Sequence, residues 1–135
     1  VDPAECRRRF TAVAVARMAT CGVAGPHLVP IVFAIDGDRV VSAVDHKPKR
    51  TVRLQRLANI ARDPRVALLA DHYTDDWEAL WWVRADGRAR LVEDRVERER
   101  ALDLLASRYR QYRERRPGGP VIEIVVERWA GWSAR

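Results

Sequence analysis

The chain has 135 residues, 47% of them hydrophobic, the size of one domain with a core of its own over residues 1–135. It holds no apolar run long enough for a membrane helix, and VDPAECRRRF lacks the layout of a secretory signal, so neither is expected. The net charge of +6 invites a nucleic-acid partner, but arginines interleave with glutamates over 95–116, the pattern of a solvated helix face, and no nucleic-acid partner is expected.

Asp2-Pro3-Ala4-Glu5 reads as a helix start: Asp2 caps, Pro3 fits the first helical position and Glu5 can complete a capping box. Cys6, Phe10 and Val13 follow at helical spacing, and the helix is expected to fade near Arg17. Val15 to Cys21 reads as a strand, GVAGP (22–26) as a turn and His27 to Ile35 as a second strand. Asp36-Gly37 is a two-residue hairpin signal, and Arg39 to Val44 returns as the partner, which predicts a three-strand meander.

From Pro48 to Arg62 the period becomes helical. Leu54, Leu57, Ala58 and Ala61 form an apolar stripe, and Lys49, Arg53 and Arg56 a basic one. Asp63-Pro64 ends this helix. Val66 to Asp71 is a strand, and YTDDWEA (73–79) an acidic loop. Leu80 to Ala85 and Arg88 to Val92 flank Asp86-Gly87 as a hairpin or as one bulged strand. Arg95 to Arg113 is a long helix with Leu102, Leu105, Tyr109 and Tyr112 buried. RPGGP (116–120) breaks it, Val121 to Val126 is a last strand, and Arg128 to Trp132 reads as an exposed tail. Short antiparallel strands with helices outside or at the ends predict a small closed barrel, mainly β with flanking helices (α+β) and of Greek-key character.

The stretch VDHKPKRTVRLQR (44–56) holds the only two lysines, Lys47 and Lys49. With Pro48 at the first helical position, free backbone N–H groups gather at Lys49 and Arg50. Cations are unfavourable at that end of a helix, so Lys47, Lys49 and Arg50 together point to a bound anion such as a phosphate. Trp81 and Trp82 are adjacent in a strand and face opposite ways, one to the core and one to an interface or a planar ligand. Cys6 and Cys21 have no metal-ligand spacing and read as buried or semi-buried thiols of a reducing cytoplasm. His27, His46 and His72 show no ligand spacing either. No nucleophile elbow, P-loop, HExxH or GxGxxG is present, so no metal site and no acid–base catalytic residue is nominated. An enzyme of this composition takes its chemistry from a cofactor.

Three segments carry a family resemblance: ARMATCGVAGPHLVPIVFAIDGDRVVSAVDHKPKR, NIARDPRVALLADHY and LWWVRADGRARLVE, which together cover most of 16–93. In order and spacing they resemble the split β-barrel flavin-binding superfamily of pyridoxamine 5′-phosphate oxidase, and most closely its F420-dependent branch of actinobacteria. The resemblance implies a homodimer with cofactor at the interface. It places His27, Leu28, Val29, Pro30 and Ile31 beside the ring system. Ala43, Val44, Asp45, His46 and Lys47, with Lys49 and Arg50, would hold the ribityl chain and phosphate. Arg56 would match a basic residue ahead of the Asn59-Ile60 segment, and Trp82 would reach the ring edge. The cofactor implied is coenzyme F420, with FMN as the alternative. The activity implied is hydride transfer between the deazaflavin C5 and a small unsaturated or quinone-like substrate. An FMN-dependent oxidase or reductase, or a non-enzymatic F420- or haem-binding protein, are the alternatives. Val44-Asp45-His46 departs from the aromatic-Thr-Asn pattern of the vitamin B6 oxidases, whose C-terminal substrate segment is also unrecognisable here.

Overall fold

A computed structural model describes residues 1–44 and 50–135, with residues 50–54 described as helical backbone only. Helix α1 (Pro3–Ala12) is followed by strands β1 (Ala16–Gly22), β2 (Gly25–Ile31), β3 (Ala34–Asp36) and β4 (Arg39–Ala43). Then come α2 (Arg50–Arg62), β5 (Arg65–His72), a single 3-10 turn at Trp77–Ala79, β6 (Trp81–Leu91), α3 (Arg95–Arg108), α4 (Arg110–Glu114) and β7 (Val121–Ser133). The strands form one antiparallel sheet in the order β2-β1-β5-β6-β7-β4-β3.

That order makes the sheet curl, with no ladder between its edge strands β2 and β3 among the described residues. Seven flat strands at about 4.8 Å spacing would put β2 and β3 about 29 Å apart. Yet only Val32 and Phe33 separate the end of β2 from the start of β3, a reach of about 10 Å. The edges must therefore curl together, giving the expected barrel. Three consecutive strands, β5, β6 and β7, are joined by β4 alongside β7, which is the Greek-key relation.

The expected meander is corrected by this arrangement. The run read as one strand over 27–35 breaks at Val32–Phe33, and β2 pairs only with β1 while β3 pairs with β4. Phe33 is fully buried, and its backbone turns the chain from one sheet edge to the other. The hairpin also closes one residue later than expected: Asp36 pairs with Arg39, leaving Gly37-Asp38 as the loop, with Gly37 at φ +63°. Only the first of the two loop positions has a positive φ, the type II′ arrangement that favours glycine there.

Strand β6 is one bulged strand, with the shift between Asp86 and Gly87. A side chain at Gly87 would collide with the carbonyl of Val125, so the two backbones meet there more closely than any other residue allows. Residues 128–132 are not a tail: β7 continues to Ser133, with Trp82 opposite Trp132 and Ala85 opposite Trp129. The second long helix breaks at Tyr109 into α3 and α4.

The main core gathers Cys6 and Phe10 of α1, Met18, Leu68, Val83 and Ile124 of the strands, and Ile60 of α2. Asp2 caps α1 through the Glu5 N–H at 2.8 Å, but the Glu5 side chain turns to Arg8 and Arg9 instead of closing a box. Helix α1 ends at Ala12, short of Arg17, because residues 16–22 pair as a strand. A second cluster, with Val41, Leu102, Leu105 and Val121, packs α3 against the other face of β4. Helix α2 packs Leu57 against the core as expected and turns Asn59 and Ile60 inward, while Ala58 and Ala61 of the expected apolar stripe are exposed and the side chain of Leu54 lies outside the described part. Among the described residues no helix is long and apolar enough to cross a membrane.

Candidate functional site

Alternation along β2, β1, β5 and β6 sends one set of side chains to the core and the other to the outer face. Outward residues fall into rows fixed by register. Leu28, Ala19, Ala67 and Asp86 make one row, and Pro30, Arg17, Leu69 and Arg84 the next. Ala19 and Ala67 are direct partners carrying only methyl groups, so the surface dips between larger neighbours. Two grooves meet over them. One, of about 500 Å³, runs past Cys21, Pro26 and Arg65. The other, of about 380 Å³, is walled by Leu28, Leu69 and Trp82 with Arg17 and Arg84 at its edge. Because they share Ala19 and Ala67, they form one trough.

The trough has an aromatic wall and cationic margins. The Arg84 guanidinium lies 5.8 Å over the Trp82 ring and donates to Asp86 at 3.0 Å. Arg65 grips Asp63 through two nitrogens, at 3.0 and 2.7 Å, and those bonds hold the Asp63 carboxyl far below the usual carboxylate range. Leu28 is 67% exposed and Trp132 lies beside Trp82 on the same face, so apolar surface continues beyond the trough.

Behind the trough, Thr20 and Asn59 are each 2% exposed and bond to each other at 2.9 Å, with Gln55 donating to Asn59. This pins α2 to β1 from the core side. His27 is paired with Thr20 across the strands, and its Nδ1 is buried with no hydrogen-bond partner among the described residues. A flat floor of methyl groups, an indole wall and guanidinium edges fit a planar ring with polar rims. Among the described residues no cluster of His, Cys, Asp and Glu could hold a metal.

The pyridoxamine 5′-phosphate oxidase family model matches residues 3–133. The chain belongs to the pyridoxamine 5′-phosphate oxidase family. Solved structures of the same fold include the conserved hypothetical protein Rv2991 from Mycobacterium tuberculosis, with a TM-score of 0.80 and 23% identity over 100% of this chain and 86% of that one. A FAD-binding protein from Mesorhizobium loti gives 0.72 at 20% identity, covering 97% of this chain and 94% of its own. The heme storage protein HutZ from Vibrio cholerae gives 0.71 at 14% identity, covering 97% and 93%. The search of curated proteins gave no match.

Within this family fold the residues singled out in the sequence separate. Leu28 and Trp82 meet in the trough, and Pro30 lies on the same face, opposite Arg17. His27, Val29 and Ile31 turn to the other face. Ala43 ends β4 and Val44 follows it, buried, donating its N–H to Pro120, with β7 between β4 and β6 in the sheet. Arg56 is half-buried on α2. Arg50 opens α2, its side chain outside the described part, and Asp45, His46, Lys47 and Lys49 lie outside the described residues, as does the anion site argued for them. Sequence reasoning missed Arg17, Ala19, Ala67, Leu69 and Arg84. Their only signal was strand alternation, and their grouping depends on pairing between strands far apart in the chain.

Proposed function

We propose that the chain is a flavin-type redox protein that binds coenzyme F420, with FMN as the alternative. It would act as a homodimer with cofactor at the interface, in a reducing cytoplasm suited to the free thiols of Cys6 and Cys21. The observation that carries this is the trough over Ala19 and Ala67, walled by Trp82, in a chain matched almost end to end by the oxidase family model. The FAD-binding relative in fold supports a flavin-type ligand. The bound cofactor would supply hydride transfer to or from a small unsaturated or quinone-like molecule. In this reading Leu28, Pro30 and Trp82 hold the ring, and the second copy covers the exposed apolar surface at Leu28 and Trp132. Lys47, Lys49 and Arg50 hold the phosphate, and the strand-to-helix segment with Ala43, Val44, Asp45 and His46 holds the chain leading to it. Residues 1–135 act as one cofactor-binding unit.

Tryptophan fluorescence titrated with F420, FMN and FAD tests this. Micromolar quenching by F420 in preference to the flavins is expected, followed by turnover with quinones, nitro compounds or enones. Charge-assisted phosphate contacts contribute about 1.5–3 kcal/mol each. The Lys49→Ala/Arg50→Ala double variant should therefore bind at least tenfold more weakly, and unchanged affinity would sink the phosphate assignment. A second reading, cofactor or haem storage without turnover, is favoured by the likeness in fold to the heme storage protein. Tight binding with no turnover would select it.

A further inference from the structure

Three arginines line the trough, and two of them carry a carboxylate of their own. Arg65 is held by Asp63 and Arg84 by Asp86. Arg17 is different. Its cross-strand neighbours are Pro30 and Leu69, neither of which offers a side-chain acceptor. Asp86, on the same face, is taken by Arg84, and Asp71, outward on β5 two residues beyond Leu69, makes no ion pair with Arg17. Among the described residues the Arg17 side chain has no ion-pair or hydrogen-bond partner.

An arginine fork beside apolar surface is suited to bidentate recognition of an oxyanion, and a bound ring that displaces water strengthens that contact. The rest of this groove is Ala19, Leu28, Ala67, Leu69 and the Trp82 ring, in a volume of about 380 Å³ that suits a small ligand. We propose that the trough selects planar, apolar molecules bearing a carboxylate or other oxyanion, anchored by Arg17 and lying over Ala67 and Leu69 beside the ring that Trp82 holds. This rests on reading the trough as the ligand pocket and, among unsaturated and quinone-like substrates, favours those that carry an acid group. Neutral analogues lack the group that Arg17 recognises.

Two fluorescent probes separate charge from shape: 8-anilinonaphthalene-1-sulfonate and its uncharged counterpart N-phenyl-1-naphthylamine. The wild-type protein is expected to bind the sulfonate at least tenfold more tightly. Arg17→Gln should erase that preference and leave the neutral probe's affinity unchanged, Arg17→Lys should retain part of it, and Arg100→Gln, on the exposed face of α3, should leave it intact. Ala67→Leu, which fills the floor, should weaken both probes. Circular dichroism checks that each variant folds. Equal affinity for the two probes in the wild type, an Arg17→Gln effect on both or on neither, or an Ala67→Leu variant that binds both normally would each overturn the proposal. The cofactor titration is read separately. Failure to bind F420, FMN or FAD with an Arg17-dependent sulfonate preference intact defeats the redox reading alone, and the opposite pattern defeats anion selection alone.

Discussion

Asp38 joins parts of the chain that are remote in sequence. Its carboxylate accepts from the Trp129 indole N–H and from Arg7, each at 2.9 Å, and these two bonds lower its pKa. A carboxyl whose folded pKa is depressed stabilises the fold above its unfolded value, about 3.9, and loses that contribution as pH falls through the folded value. The melting-temperature difference between wild type and Asp38→Asn should thus be steady above about pH 5 and shrink below about pH 4. A difference that stays constant down to pH 2 would refute this. The effect will be modest because the Asp38 side chain is 54% exposed and screened by solvent.

At the scale of elements, the contact between β6 and β7 is set by one glycine. Gly87→Ala must push the Val125 carbonyl away and disturb the ladder on both sides of the bulge. A loss of about 2–3 kcal/mol in urea unfolding is expected, the upper part of the usual range for single substitutions. A variant as stable as the wild type would mean the strands separate there freely. Local chemistry made most elements legible: the Asp2 cap, the Asp63-Pro64 stop and the RPGGP breaker all act within a few residues. What was misread depends on partners distant in the chain. Asn59 sits in the core because Thr20, 39 residues away, accepts its bond, and a rule that sends polar side chains outward sets the α2 face wrongly. Trp129 and Trp132 resemble a tail until β6 is placed alongside them. The trough was illegible for the same reason: Ala19 and Ala67 become a floor only when β1 and β5 pair.

The curl of the whole barrel depends on the corner at Val32–Phe33, and that corner is held both from outside the sheet and by a side chain of β4. The Tyr109 hydroxyl accepts from the Phe33 N–H at 3.0 Å and donates to the Phe33 carbonyl at 2.8 Å. Arg108 also donates to that carbonyl and stacks 4.7 Å over the Phe33 ring, and Ser42 donates to Val32 at 2.8 Å. Tyr109→Phe leaves a partly buried N–H without its acceptor. It should cost about 1–3 kcal/mol by chemical denaturation, with the far-ultraviolet dichroism unchanged. An unshifted midpoint would show that the corner stands without Tyr109.

The sheet order also fixes when the barrel can exist during synthesis. Strand β7 is the shared partner of β4 and β6, and it is the last of the seven to be made. Until Val121–Ser133 leaves the ribosome, a nascent chain presents two strand edges without their ladder partner and a core lacking Ile122, Ile124 and Trp129. Open edges of this kind pair readily with other chains. The interval of greatest exposure to aggregation, and to chaperones, therefore ends only as the final strand emerges.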